Sequence, residues 1–242
     1  MAAPATETSP QVYARVGGLL YLVIIVAGAL GELFVRGTLV VSGDAASTAG
    51  RILASESLWR LGIVGDLVMH LCDVVVMWAI YVLLRPVSRN LALLTLLFNL
   101  VQTAVLVANK LNLLVPLFLL GDAAYLKAFD TAQLQAWSYI AVKMHDYGFG
   151  IGLIFFGFVC LVEGYLIRRS RYLPSLLGVL MQIAGACYLV NSFALLLAPA
   201  FAGRIFPVIL VPCFIAELAL ALWLLVKGVN MDEWNKRAAT LS

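Results

Sequence analysis

GIVGDLVMHLCDVVVMWAIYVLL, residues 62–84, is an apolar run broken by only three ionisable side chains. A helix rises about 1.5 Å per residue, so about 20 residues cross the roughly 30 Å hydrocarbon layer of a bilayer. The run is long enough, and it lacks the alternation of a barrel strand. Asp66, His70 and Asp73 stand at i, i+4 and i+7, so they share one helical face. The other faces are apolar, which suits lipid and not water.

Five further runs of this kind flank it. Together the six cover approximately 16–35, 60–84, 91–120, 138–167, 174–198 and 205–228. In lipid every backbone polar group must be satisfied within the segment, so each run is helical. The composition agrees. Of 242 residues, 63% are hydrophobic and 12% charged, against about 45–50% and about 25% in soluble domains. Such a chain cannot cover itself with polar side chains, which excludes a soluble enzyme, a disordered chain and a disulfide scaffold. The four cysteines lie in apolar runs without CxxC spacing and read as free thiols. The net charge of +3 gives no nucleic-acid surface. The first run reads as a span and not as a cleaved signal, because it stays apolar to Val35 and its basic flank, Arg15, is late and weak.

The predicted fold is an all-α integral membrane bundle of six transmembrane helices, with short helices in the outer loops. The domain plan is a mobile N-terminal tail (1–14), one membrane domain (15–229) and a cytoplasmic C-terminal tail (230–242). Positive residues favour the cytoplasmic side. With both termini inside, the inner segments hold Arg15, Arg85, Arg89, Arg168, Arg169, Arg171, Lys227, Lys236 and Arg237, against Arg36, Arg51, Arg60, Lys127 and Arg204 outside. The expected location is the bacterial plasma (inner) membrane, crossed several times. Two outer loops carry more structure: 44–57 reads as a short helix capped by Asp44, and 121–137 as an interfacial helix running into the fourth span. The pair Asn109–Lys110, followed by Pro116, predicts a kink or re-entrant turn in the third run.

An ionisable side chain within a span is costly in lipid and points to function. Glu32, Asp66, His70, Asp73, Asn109, Lys110, Asn112, Lys143, His145, Asp146, Asn191 and Glu217 fall in the outer or middle parts of their helices, with Asn99, Gln102 and Gln182 near the midplane. The inner half is nearly bare apart from Glu163, read as snorkelling to the inner arginines. The expected result is a polar pocket opening outward. Asp66, His70 and Asp73 form a carboxylate–imidazole–carboxylate ladder suited to acid–base work or to donating metal ligands. Arg36 is placed to pair with Glu32, Arg60 to reach Asp66, and Lys143 to pair with Asp146. An excess of outer acids is left over, to be protonated or balanced by a cation.

The expected catalytic residues, if the protein is an enzyme, are Asp66, His70, Asp73, His145 and Asp146. The expected ligand-binding residues are Asn109, Lys110, Asn112, Lys143, Tyr147, Asn191 and Glu217. A metal, if present, would fall to His70, His145 and Asp66, although HExxH and HxxxH are absent; haem between the two histidines is a further alternative. No cofactor is predicted. Gly148, Gly150 and Gly152 read as a close-packing face. The leading expectation is binding of a small amphipathic or lipid-like ligand in the pocket. The alternatives are a membrane-embedded acid–base or metal-assisted enzyme acting on a lipid or isoprenoid, and a structural subunit whose polar residues are inter-helix glue. The lipid bilayer is the expected partner; the sequence does not decide the oligomeric state.

Five stretches carry a family resemblance: RVGGLLYLVIIVAG (15–28), GDAASTAGRILASESLWRLGIVGDL (43–67), YVLLRPVSRNLALL (81–94), HDYGFGIGLIFFGFVCLVEGYLIRRSRYLPSLLGVL (145–180) and AELALALWLLVKG (216–228). Together the chain resembles, from about Arg15 to Gly228, the bacterial membrane family known as domain of unknown function 4386. The resemblance implies a helical membrane domain and no particular activity. It also implies an apolar residue in much of the family where this chain has His70.

Overall fold

A computed structural model describes residues 8–239. Six helices are long and apolar enough to cross a membrane: α1 (Pro10–Leu39), α3 (Glu56–Leu84), α4 (Arg89–Leu119), α5 (Thr131–Ser170), α6 (Ser175–Leu197) and α8 (Val208–Val226). Three short helices join them: α2 (Ala45–Ala54), α7 (Pro199–Ile205) and α9 (Met231–Ala239).

The spans form a closed ring. Each packs on two neighbours, in the order α1–α3–α4–α5–α6–α8 and back to α1. The tightest seam, α5 against α6, depends on paired glycines. A Cβ on Gly157 would meet the carbonyl oxygen of Gly185, and one on Gly185 would meet that of Gly157; Gly164 and Gly178 repeat this seven residues away on each helix. Small residues let backbones approach where no hydrophobic force drives helices together. Gly148, Gly150 and Gly152 likewise receive Asn109, Leu195 and Leu106, as the close-packing reading expects.

The described segment's first and last residues both lie at one end of the ring, here the terminal end. Gln11 on α1 clamps the exit of α8: its Nε2 donates to Lys227 O at 3.0 Å, and its Oε1 accepts from Val229 N at 3.1 Å. The described parts of the segments read as tails, 8–14 and 230–239, are more structured than expected; the rest of those segments lies outside the described residues. The first helix begins at Pro10, capped by Ser9, whose hydroxyl accepts from Gln11 N. The C-terminal segment forms α9, where Trp234 Nε1 donates to Leu83 O at 3.2 Å and Arg237 donates to Arg169 O at 2.8 Å.

The other end, here the distal end, holds a second apolar cluster. Trp59 is fully buried there with Val35, Leu39, Ile52, Ile63, Leu113 and Val142. Asp44 caps α2 as expected, accepting from Ser47 N at 2.9 Å; the hydrogen bond from the Ser47 hydroxyl is the largest influence holding this exposed carboxyl below the ordinary aspartate range. Helix α4 breaks at Lys110, resumes at Leu111 and contains Pro116. The 121–137 segment differs from expectation: helix begins only at Thr131, behind a capping box of Asp130 and Gln133, and Ala124–Ala128 is a 3₁₀ turn. Asp130 and Gln133 cap each other reciprocally, which fixes the start of the helix at Thr131.

Candidate functional site

The distal third of the ring is crossed by a row of seven ionisable side chains. It starts on α1, where Gly31–Arg36 is wound as a π-helix. Single π turns inside longer helices recur at functional sites. This one delivers Arg36 into the bundle. Its Nε donates to Glu32 at 2.8 Å, and its terminal nitrogens fork onto Asp66 of α3 at 2.8 and 3.5 Å. A Cβ on Gly31 would stand 3.0 Å from Asp66 Oδ1 and 3.2 Å from the Arg36 guanidinium, so glycine leaves the space that the fork fills.

Asp66 Oδ2 also accepts from Lys110 Nζ at 2.8 Å. The break in α4 places that ammonium in the core. Lys110 Nζ is 3.2 Å from His145 Nε2 on α5. His145 Nδ1 lies 4.0 Å from Asp146, and Asp146 pairs with Lys143 at 3.1 Å. Asn109 fastens the same corner: its Nδ2 donates to His145 O at 2.9 Å, and its Oδ1 accepts from Asn112 at 2.9 Å.

The charges in this row balance. Glu32, Asp66 and Asp146 face Arg36, Lys110 and Lys143. Buried charges are tolerated only when paired in this way. The middle members, Asp66, Lys110 and His145, are buried. The row reaches the surface at both ends, because the Glu32 side chain is 63% exposed and that of Asp146 46%. A crevice between Val35, Arg36, Trp59, Gly62, Ile63 and Leu113 runs beside it, too narrow for water.

Several expectations are corrected here. Arg60 pairs with Glu56 and not with Asp66, because Arg36 and Lys110 already occupy that carboxylate. The ladder on α3 is not one unit. Its three residues are all buried, but Asp66 belongs to the row, His70 Nε2 has no hydrogen-bond partner among the described residues, and Asp73 turns to α4, where Thr103 Oγ1 donates to it at 2.5 Å and Asn99 Nδ2 at 3.1 Å. Glu217 also lies apart from the row, accepting from the Tyr188 hydroxyl. Asn191 is buried on α6, and Tyr147 is exposed on α5; neither joins the row. Glu163 does not snorkel: it is buried, with Oε1 unpartnered, while Arg168 donates to Gln182. Among the described residues, no three His, Cys, Asp or Glu side chains gather as they would around a metal ion, and the cysteines are free.

The sequence reading missed Arg36 as a ligand of Asp66, and missed Thr103 and Tyr188. Arg36 stands 30 residues from Asp66, beyond any spacing rule. Thr103 follows Asn99 by one helical turn, and that i, i+4 polar pair was the available signal.

The comparisons with known proteins give a family. A family model described as "Domain of unknown function (DUF4386)" matches residues 16–228. A protein of Archaeoglobus fulgidus, described as an uncharacterized protein, is 30% identical over 176 residues, covering 71% of this chain and 86% of its own. That relative is archaeal, so a bacterial origin is not what the comparison shows. No solved structure matches. The chain is thus a six-span helical membrane protein that belongs to the DUF4386 family.

Proposed function

We propose that the protein binds a small amphipathic or lipid-like ligand at the distal end of the ring. The observation that carries this is the lipid-facing mouth of the row. Glu32 reaches the surface while paired to the largely buried Arg36, and the adjacent Leu33 and Phe34 are 65% and 61% exposed. A polar head would exchange hydrogen bonds with that pair while its chain lies along the apolar flank. In this reading the terminal end faces the cytoplasm, as its arginines favour, and the membrane is the bacterial plasma membrane. Ligands that bind only the folded state raise its stability by mass action. The test is a thermal-shift panel on purified protein with a fatty acid, a lysophospholipid and an isoprenyl phosphate. One class is expected to raise the melting midpoint in the wild type and not in Glu32→Leu. No shift with any class would overturn the proposal.

A second reading, a membrane-embedded acid–base enzyme acting on a lipid, is favoured by one specific feature. Lys110 lies within hydrogen-bond reach of both Asp66 and His145, as a proton-transferring group and its positioning partners require. Product formation from a lipid substrate, abolished in His145→Phe, would favour this reading over simple binding.

A further inference from the structure

A second group of polar side chains lies in the middle of the ring. Asp73 on α3, Asn99 on α4 and Tyr21 on α1 stand roughly 15–16 Å from the terminal ends of their helices, about half of a 30 Å hydrocarbon layer. Glu217 on α8 lies about 13 Å and Glu163 on α5 about 10 Å from the terminal ends of theirs, so Glu163 is the member nearest that end; Glu163 is within electrostatic reach of both Glu217 and Asp73.

This group contrasts with the balanced row above it. The titratable groups facing it are Tyr21 from α1, Asp73 from α3, Cys160 and Glu163 from α5, Tyr188 from α6, and Cys213 and Glu217 from α8; α4 contributes only Asn99, Gln102 and Thr103. Among the described residues, no lysine, arginine or histidine pairs with any of the three carboxyl groups. Three carboxylates without a counter-charge cannot all be ionised in a medium of low dielectric.

A second observation is independent of the acids. Two amide oxygens in the same layer, Asn99 Oδ1 and Gln102 Oε1, have no hydrogen-bond partner, although their residues are only 2% and 6% exposed. Glu163 Oε1 is unpartnered as well, in a residue 2% exposed. All three are acceptors. A buried acceptor left empty is costly, and the missing element is hydrogen-bond donation. A proton on a carboxyl group supplies a donor and removes the unpaired charge together.

We propose that Asp73, Glu163 and Glu217 form a site for exchangeable protons at the centre of the membrane domain. Glu163 is the member whose Oε1 has no donor among the described residues. Asp73 and Glu217 already receive donors from Thr103, Asn99 and Tyr188, which suit the ionised form. A proton can therefore reside on Glu163 and transfer toward the other two. The gain and loss of that proton is a protonation equilibrium of a carboxyl group and needs no further reactant.

The experiment is infrared difference spectroscopy on the full chain in lipid nanodiscs, stepped from acidic to alkaline pH. The expected wild-type signal is the carbonyl band of a neutral carboxylic acid, shifted by deuteration and lost as pH rises. Glu163→Gln is expected to remove its largest part, Glu217→Gln a smaller part, and Glu163→Asp to retain it, which controls for misfolding. Three results would each overturn the proposal: no such band at any pH; a band that does not respond to pH or deuteration; or a band abolished by sodium or potassium at fixed pH, which would make this a metal-cation site.

Discussion

Lys110 Nζ lies 3.2 Å from His145 Nε2 while it donates to Asp66 at 2.8 Å. An ammonium has donors only, so Nε2 must accept and the imidazole proton sits on Nδ1. Nδ1 makes no hydrogen bond among the described residues and stands 4.0 Å from Asp146 Oδ1. The row is thereby polarised in one direction, from the exposed Lys143–Asp146 pair toward Asp66.

Asp66 is the anion that two cations share, and this ranks the substitutions. In Lys110→Met, Arg36 still neutralises Asp66. In Asp66→Asn, Lys110 and Arg36 lose their common partner in the core, and stranding a buried charge costs about 3–5 kcal/mol. Asp66→Asn is therefore expected to lower the unfolding midpoint more than Lys110→Met, and the double variant to recover part of the loss. Denaturant unfolding in detergent checks the order. Lys110→Met proving the worse would show that Asp66 is not the hub.

His70 makes the opposite prediction. Its Nε2 is buried without a partner among the described residues, and such a group costs about 1–3 kcal/mol. His70→Leu is expected to leave the melting midpoint unchanged or raise it. A clear drop would reveal a polar partner for the ring.

The glycine seam of α5 and α6 admits a graded test. Gly185→Ala or Gly164→Ala places a methyl group against a facing carbonyl oxygen, whereas Gly50 and Gly203 have nothing within 4 Å. Overpacking of this kind typically costs about 1–3 kcal/mol. The seam variants are expected to melt earlier than the wild type, and Gly203→Ala to match it, in parallel thermal scans.

Asp44 gives a pH prediction at the surface. Its folded-state pKa is lowered, first by the Ser47 hydroxyl. A lowered carboxyl value stabilises the cap above the ordinary aspartate pKa of about 3.9, and this is lost as pH falls through the folded value. Amide protection at the start of α2 should therefore be full at neutral pH and decline in acid. Asp44→Ala should show the low-pH behaviour at every pH, as read by hydrogen exchange. An unchanged profile in that variant would rule out the capping role.

What the sequence revealed was local. The spans follow from apolar length, the α2 cap from Asp44, and the α4 break from Lys110 with Pro116 downstream. The Arg36–Glu32 and Lys143–Asp146 pairs follow from helical spacing. Contacts across helices were another matter. Asp66 was given to Arg60, six residues away, because spacing rules see only one or two turns. Its true partners lie 30 and 44 residues off and depend on the order of helices round the ring. The same blindness hid two of the central acids, Asp73 and Glu217, which were counted with the outer ones although Asp73 bonds to α4 and Glu217 to α6.

The ring order also bears on how the protein is made. Helix α1 leaves the ribosome first, yet one of its two neighbours is the last span, and the Gln11 clamp joins positions 216 residues apart. Until α8 is inserted, the α1 face that holds Gly18 and Tyr21 has no partner helix on that side, and the ring stays an open arc. A chain truncated before α8 would thus offer lipid a tyrosine hydroxyl and an unfilled glycine groove, marks by which a membrane protease could tell an unfinished product from a finished one.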